Sequence, residues 1–375
     1  MTVAVIAPDK FKGSLTAGQA ATAIERGLRS ALDELDVRPV PMADGGEGTV
    51  EAFLASGARR IVRRVRGPLG EPIDAAFALE GETAILEMSA ASGLQLTAAT
   101  KRDPLHASTY GTGELVRAAL DEGARRVVVG LGGSATNDGG AGMLRALGVR
   151  FYDTPDGELA PGGAALARLA RIDLTHLDPR LANVRIEVAA DVDNPLTGPR
   201  GASAVFGAQK GADADAIALL ESALEHFAGV AARTLGRDER DAPGAGAAGG
   251  LGFGFIAFAR ATLRPGVEIV AELRGLERAL QGAHWCLTGE GSIDMQTLGG
   301  KTVDGVARIA RAAGVPTIAF GGRVEAAAEE ALAARGVAVV PIVDAPIELA
   351  DALSRAAELL ERAAARAGRL LAPAR

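Results

Sequence analysis

The sequence predicts an α/β protein of two domains, the first a parallel-sheet domain that is discontinuous in sequence and the second an α/β domain inserted into it. Three observations lead there. Short β-rich runs alternate with longer Ala/Leu/Arg/Glu stretches at helical period, the pattern of parallel strands joined by crossover helices. The chain has 375 residues, more than one core usually serves. Both ends carry strands that read as parts of one sheet, whereas the middle has strands and glycine loops of its own.

In chain order, Val3–Ala7 is a strand, Thr16–Asp33 a helix opened by a hydroxyl cap, and Val37–Met42 a second strand that runs into Ala43-Asp44-Gly45-Gly46-Glu47. This is a βαβ unit. Gly67-Pro68-Leu69-Gly70 is rich in turn residues and is taken as the start of the insertion. Within it, Arg126–Gly130 and Val184–Ala189 read as strands, and 237–250 reads by composition as a mobile surface loop. Gly275–Gly282 closes the insertion, so the domains are expected at 1–66 with 282–375 and at 67–281. Trp285–Thr288, Pro316–Phe320 and Val337–Val340 then return as strands, Val303–Ala313 lies among the intervening helices, and an Ala-rich amphipathic helix ends the chain.

Composition narrows the function. Apolar residues make up 48% and charged residues 23%, which suits a packed globular chain. The formal net charge is −7, and the Lys and Arg residues are scattered. No nucleic-acid footprint results, although a few cations converging in a cleft still hold a small anion. Cys286 is the only cysteine, so no intramolecular disulfide and no CxxC site is available. Neither a leader-like N-terminus nor a bilayer-length apolar run is read, and the expectation is a cytoplasmic protein that binds no membrane. The oligomeric state is left open, a homodimer included.

Ligands of open α/β sheets sit beyond the carboxyl ends of the strands, so the residues after each strand carry the information. After the first come Asp9-Lys10-Phe11-Lys12-Gly13-Ser14, either an anion site near a helix start or a solvated turn. After the second, Asp44 and Glu47 stand among glycines, available to a cation or a hydroxyl, or serving as helix caps. The loop Gly130–Gly140, with Gly132, Gly133, Ser134, Asn137 and Asp138, fits a backbone phosphate cradle. Gly130–Ala135 also satisfies G-x-G-x-x-A, so a nicotinamide-dependent oxidoreductase competes. Gly244–Gly249 has dinucleotide spacing but follows no strand, which leaves a helix N-terminus or a hinge. Gly299-Gly300-Lys301-Thr302 ends like a P-loop but has Met295 at the first glycine position. Lys301 nonetheless stands at a helix start, just after Glu290 and Asp294. Asp191 and Asp193, beside Asn194, suit a cation or a proton acceptor. The four histidines show no ligand spacing.

Taken together, seven runs resemble the bacterial glycerate kinase family. They are APDxFKGS from Ala7, ADGGEGT from Ala43, GLGGSATNDGGAGML from Gly130, DVxNPLxGxxGA from Asp191, FGxQKGA from Phe206, GAGAAGGLG from Gly244 and TGEGxxDxQTxxGK from Thr288. Lys10 stands where many members have Ser. The resemblance implies two α/β domains, one of them Rossmann-like, with the active site in the cleft between them. It implies ATP-dependent phosphorylation of D-glycerate, expected at the 2-hydroxyl to give 2-phosphoglycerate and ADP, with Mg²⁺. On that footing Asp191 is the expected proton acceptor and Lys12 the second catalytic group. Ser14, Lys210, Arg323, Lys301 and the Gly132–Asp138 loop would hold phosphate or substrate. Asp44, Glu47, Asp193, Glu290 and Asp294 are the metal candidates. An oxidoreductase on the Gly130 loop and a non-catalytic binder of small acids are the alternatives.

Overall fold

The computed structural model describes residues 2–371. In chain order its strands are β1 (Thr2–Ile6), β2 (Leu35–Pro39), β3 (Arg59–Arg66), β4 (Pro72–Glu80), β5 (Thr83–Glu87), β6 (Arg126–Gly130), β7 (Arg150–Tyr152), β8 (Arg171–Asp173), β9 (Arg185–Ala189), β10 (Thr262–Arg264), β11 (Trp285–Ile293), β12 (Thr317–Val324) and β13 (Val337–Pro341). The fold is α/β, and the chain divides into two compact units, Met1–Asp44 with Pro265–Arg375 and Gly45–Arg264.

The first unit is built on a five-stranded parallel sheet in the order β13-β12-β11-β1-β2. Helix Ala17–Arg29 starts where Thr16 and Gln19 form a reciprocal capping box, which satisfies two otherwise orphaned N–H groups. Its small apolar face, with Ala20, Ile24 and Leu28, packs on Leu360, Ala363 and Ala364 of helix Ala356–Leu371. From β1 the chain winds outward to β2, whereas from β11 it winds the other way through β12 to β13. The carboxyl ends of β1 and β11 are therefore the topological switch point, where such sheets open a crevice.

The second unit has a six-stranded sheet in the order β10-β9-β6-β5-β4-β3, with β5, β6, β9 and β10 parallel and β3 and β4 antiparallel. A β7–β8 hairpin lies apart. The chain is poor in aromatic residues, yet Phe151, Phe227, Phe253 and Phe258 meet edge-on or stacked in this core. Alanine and glycine fill the space around them.

Three sequence expectations differ here. Gly67–Gly70 is the loop of the β3–β4 hairpin, closed by Gly67 N–H to Glu71 O at 2.6 Å. The units divide at 44/45, not at 66/67, because β3 pairs along its whole length with β4. They divide again at 264/265, not at 281/282, because helices Gly266–Arg274 and Leu276–Leu280 pack on helix Thr302–Ala312. Residues 237–250, expected at the surface, are instead tied to the rest of the unit and buried in their second half. Leu196 N–H bonds Arg240 O at 2.8 Å, Gly246 N–H bonds Asn194 O at 2.9 Å, and Gly244–Ala247 are buried.

Candidate functional site

In the first unit the acidic residues gather at the switch point. Asp9 follows β1, and its N–H bonds Gly289 O at 2.9 Å, which ties it to β11. It is buried at 8% exposure. One carboxylate oxygen accepts Lys10 N–H at 2.6 Å, and the other accepts the hydroxyl of Thr302, the first residue of helix Thr302–Ala312. Burial, followed by the nearby Asp44 carboxylate, pushes the Asp9 pKa up to about 6, against the pull of the Thr302 hydroxyl.

Glu290 lies inside β11, because that strand runs on to Ile293. The strand end passes close to the preceding loop because residue 291 is glycine: a Cβ there would stand 2.8 Å from Lys12 N. Glu290 accepts the Thr297 hydroxyl at 2.6 Å. Its pKa rises to about 7, chiefly by burial and further by the Asp9 and Asp44 charges, while Thr297 and Lys301 oppose the rise.

Asp9, Asp44 and Glu290 thus form one acidic cluster. Lys301, the residue before the helix, donates to Gln296 Oε1 at 3.0 Å. Lys12 and Arg323 are exposed, and the Ser14 hydroxyl donates to Phe11 O at 3.0 Å. Asp294 organises a turn, accepting Gln296 N–H at 2.9 Å and the Ser292 hydroxyl at 3.3 Å.

In the second unit the Gly130–Gly140 loop leaves β6 and reaches helix Ala141–Ala146 only after ten further residues, unlike a dinucleotide turn. Leu94 N–H bonds Gly133 O at 2.8 Å and Ala135 N–H bonds Ser92 O at 2.9 Å. Gly132 and Gly133 are exposed, whereas Ser134 is buried.

Asn137 and Asp138 point inward. Asp138 accepts Thr109 N–H at 2.9 Å, the Thr109 hydroxyl at 3.0 Å, and the N–H groups of Gly140 and Gly142 at 3.1 Å each. Burial raises its pKa against those bonds. Asn137 donates to the Ser203 hydroxyl at 2.9 Å, and Lys210, 1% exposed, donates to Thr136 O at 2.7 Å. Burial brings the Lys210 pKa down to about 7, with Asp138 opposing.

The glycine run 244–252 closes the loop from behind. Gly249 sits at φ +70°, and a Cβ there would lie 2.0 Å from Thr136 O, so only glycine permits this contact.

At the β9 end Asp191 is exposed, and Asp193 is held by Arg200 at 2.6 Å. Glu47 is exposed as well. The five metal candidates are not one ligand set: among the described residues no group of three or more His, Cys, Asp or Glu is placed to hold a metal ion. The histidines take structural or surface places, such as His284 Nδ1 accepting Val3 N–H at 3.0 Å and His226 bonded to Leu169 O at 2.7 Å. Cys286 is buried, which pushes its thiol up to about 12. Among the described residues no helix is long and apolar enough to cross a membrane.

Sequence reasoning passed over Asp9, Thr297 and Thr302 as site residues. The signal for Asp9 was its place at the end of the first strand, and for Thr302 its place at a helix start.

Comparison with known proteins places the chain in a family. A profile described as the glycerate kinase family matches residues 4–372. A glycerate kinase of Bacillus subtilis is 51% identical over 364 residues, 96% of this chain and 95% of that one. A glycerate 2-kinase of Escherichia coli K12 is 48% identical over 322 residues, 85% of this chain and 84% of that one. A crystal structure from Salmonella typhimurium LT2 described as a glycerate kinase 2 superposes with a TM-score of 0.90 at 46% identity, covering 99% of this chain and 98% of that one. The oxidoreductase and the non-catalytic binder are set aside, and the chain is an enzyme that belongs to the glycerate kinase family.

Proposed function

We propose that this enzyme transfers the γ-phosphate of ATP to the 2-hydroxyl of D-glycerate, giving 2-phosphoglycerate and ADP. The observation that carries the reading is the cluster of Asp9, Asp44 and Glu290 at the switch point of a parallel sheet, beside Lys301 and the start of helix Thr302–Ala312. Burial and neighbouring charge push Asp9 and Glu290 above the usual carboxylate range, so a cation bound there would favour their ionised forms. Asp9 and Glu290 as a pair suit Mg²⁺, which is usually held by one or two carboxylates with substrate phosphates completing its shell. When bound, the ion neutralises charge on the transferring phosphoryl group.

The protein's own part is positioning. Asp9 and Glu290, fixed by the Thr302 and Thr297 hydroxyls, would hold the ion, with Asp44 beside them. Lys12, Lys301 and Arg323 supply positive charge for phosphate or the glycerate carboxylate, and Ser14 and the backbone of Gly132 and Gly133 supply neutral donors. Asp191 takes the proton of the attacking hydroxyl. Asn137, Asp138 and Lys210 act from the interior, holding the loop that carries Gly132 and Gly133 in shape. Asp193, Asp294 and Glu47 are not needed as ligands in this scheme.

The test is ADP release measured with and without D-glycerate and with Mg²⁺ supplied or chelated. Release should require both, and Asp191→Asn should lower kcat by about 10²–10⁴-fold with the fold intact. Full activity in that variant would move the proton acceptor elsewhere, and release independent of D-glycerate would contradict the substrate.

A further inference from the structure

The Gly45–Arg264 unit contains a cavity of about 420 Å³ that the machinery above does not use; Arg66, Tyr110, Arg145, Arg150, Phe151 and Glu158 line it. Its size is in the range of small-molecule sites. No residue of the loops that follow β5, β6 and β9 forms its wall.

Its chemistry is unusual for a surface depression. Arg66 ends β3, Arg145 lies on helix Ala141–Ala146 and Arg150 opens β7, so three separate elements direct guanidinium groups to one place. The unit's surface arginines are commonly paired, as Arg63 is with Glu122, Arg171 with Asp173 and Arg180 with Asp178. Among the described residues no ion pair holds Arg66, Arg145 or Arg150. Glu158, the single acid of the lining, acts on Arg145 and Arg150 from longer range and offsets part of their charge.

Two of the three are also preset. Arg66 stacks 4.1 Å from the Tyr110 ring centre. Arg145 lies 5.5 Å from the Phe151 ring centre and donates to the carbonyls of Leu159 and Ala160. Stacking and carbonyl bonds hold a planar fork in place without neutralising it. A guanidinium cannot shed its proton, so the three groups keep their positive charge, which Glu158 offsets only in part.

We propose that this pocket is a binding site for a small polyanion, a ligand bearing at least two negative charges on carboxylate or phosphate oxygens. Fixed guanidinium forks match both kinds of oxygen in bidentate fashion.

The test is calorimetric titration of the full-length enzyme with inorganic phosphate and with malonate, at an ionic strength held constant with chloride. The double variant Arg66→Ala/Arg150→Ala removes two exposed side chains that bond no backbone carbonyl in the lining. Saturable binding of at least one anion is expected, weakened about ten-fold or more in the double variant and tightened in Glu158→Gln. Unchanged thermal melting and unchanged basal turnover would show that the double variant's fold and catalytic groups are intact. Selective loss of phosphate or of malonate binding identifies which oxyanion the site takes. Absence of saturable binding for both anions, or equal affinity in the double variant, overturns the proposal. Because the readout is binding, it decides the question whichever substrate the enzyme phosphorylates.

Discussion

Asp9 carries a carboxyl group in a place that resists its charge, and this separates function from stability. Its pKa is raised to about 6, so in folding terms it stabilises below its unfolded value and loses that contribution as pH rises through about 6. Asn in its place can accept from Lys10 N–H and donate to the Thr302 hydroxyl. Asp9→Asn should therefore be more stable than the parent at pH 8 by about 1–3 kcal/mol, with the gain vanishing near pH 4, and yet lose turnover by about 10²-fold or more. Denaturant melts at the two pH values, alongside initial rates, check both halves. Lys210 has the opposite sign. Its pKa falls from 10.5 to about 7, so the unfolded chain binds more protons between those values and stability rises with pH across that window. Lys210→Met should flatten the rise. It should also cost about 1–3 kcal/mol at pH 9 by leaving Thr136 O without its donor, with the cost shrinking at pH 6. The same two residues show what sequence can tell. Asp9 stood at a strand end where charge is informative, but nothing in one chain reveals that Lys210 is buried, since its charge argues for the surface.

At the scale of elements, the parallel strands were legible because β1, β6, β9 and the first halves of β11 and β12 carry short apolar runs with glycine or charge soon after them. β3 was not. Arg59–Arg66 buries only Ile61 and Val65 and exposes most of its arginines, so it reads as a polar segment until it pairs with β4. The Gly244–Gly252 run misled for a different reason: glycine marks both mobile backbone and backbone pressed against a neighbour, and composition cannot separate the two. Ala248, Gly249 and Gly250 all have left-handed φ values inside helix Ala247–Ala259, where the chain folds against Thr136 and Asn137. Gly249→Ala adds a Cβ 2.0 Å from Thr136 O at positive φ. The variant should lose about 3 kcal/mol or more, seen as a drop in Tm of at least several degrees. Turnover should fall with it, because the displaced loop carries Gly132 and Gly133. An unchanged Tm would mean that this contact is not as close as described.

At the scale of the molecule, the division of the chain has an experimental consequence. A fragment spanning 45–264 keeps the six-stranded sheet whole, whereas one spanning 67–281 loses β3 and leaves β4 as an unpaired edge. The first should unfold cooperatively, and the second should be insoluble or melt without a transition; equal behaviour would contradict the boundary at 44/45. The overall α/β plan was open to reading because apolar periodicity is a local property, but where one unit gives way to the other depends on pairing between distant segments, which single-sequence patterns do not encode. The acidic cluster at the switch point, assembled from residues 9, 44 and 290, is a product of that long-range order. We propose that this cluster serves phosphoryl transfer to the 2-hydroxyl of D-glycerate. Phosphorus NMR of the product formed from ATP, Mg²⁺ and D-glycerate tests this most directly. The expected products are 2-phosphoglycerate and ADP, and Asp9→Asn should form neither. A product phosphorylated at the 3-position would contradict the assigned regiochemistry, and full turnover in Asp9→Asn would contradict the site.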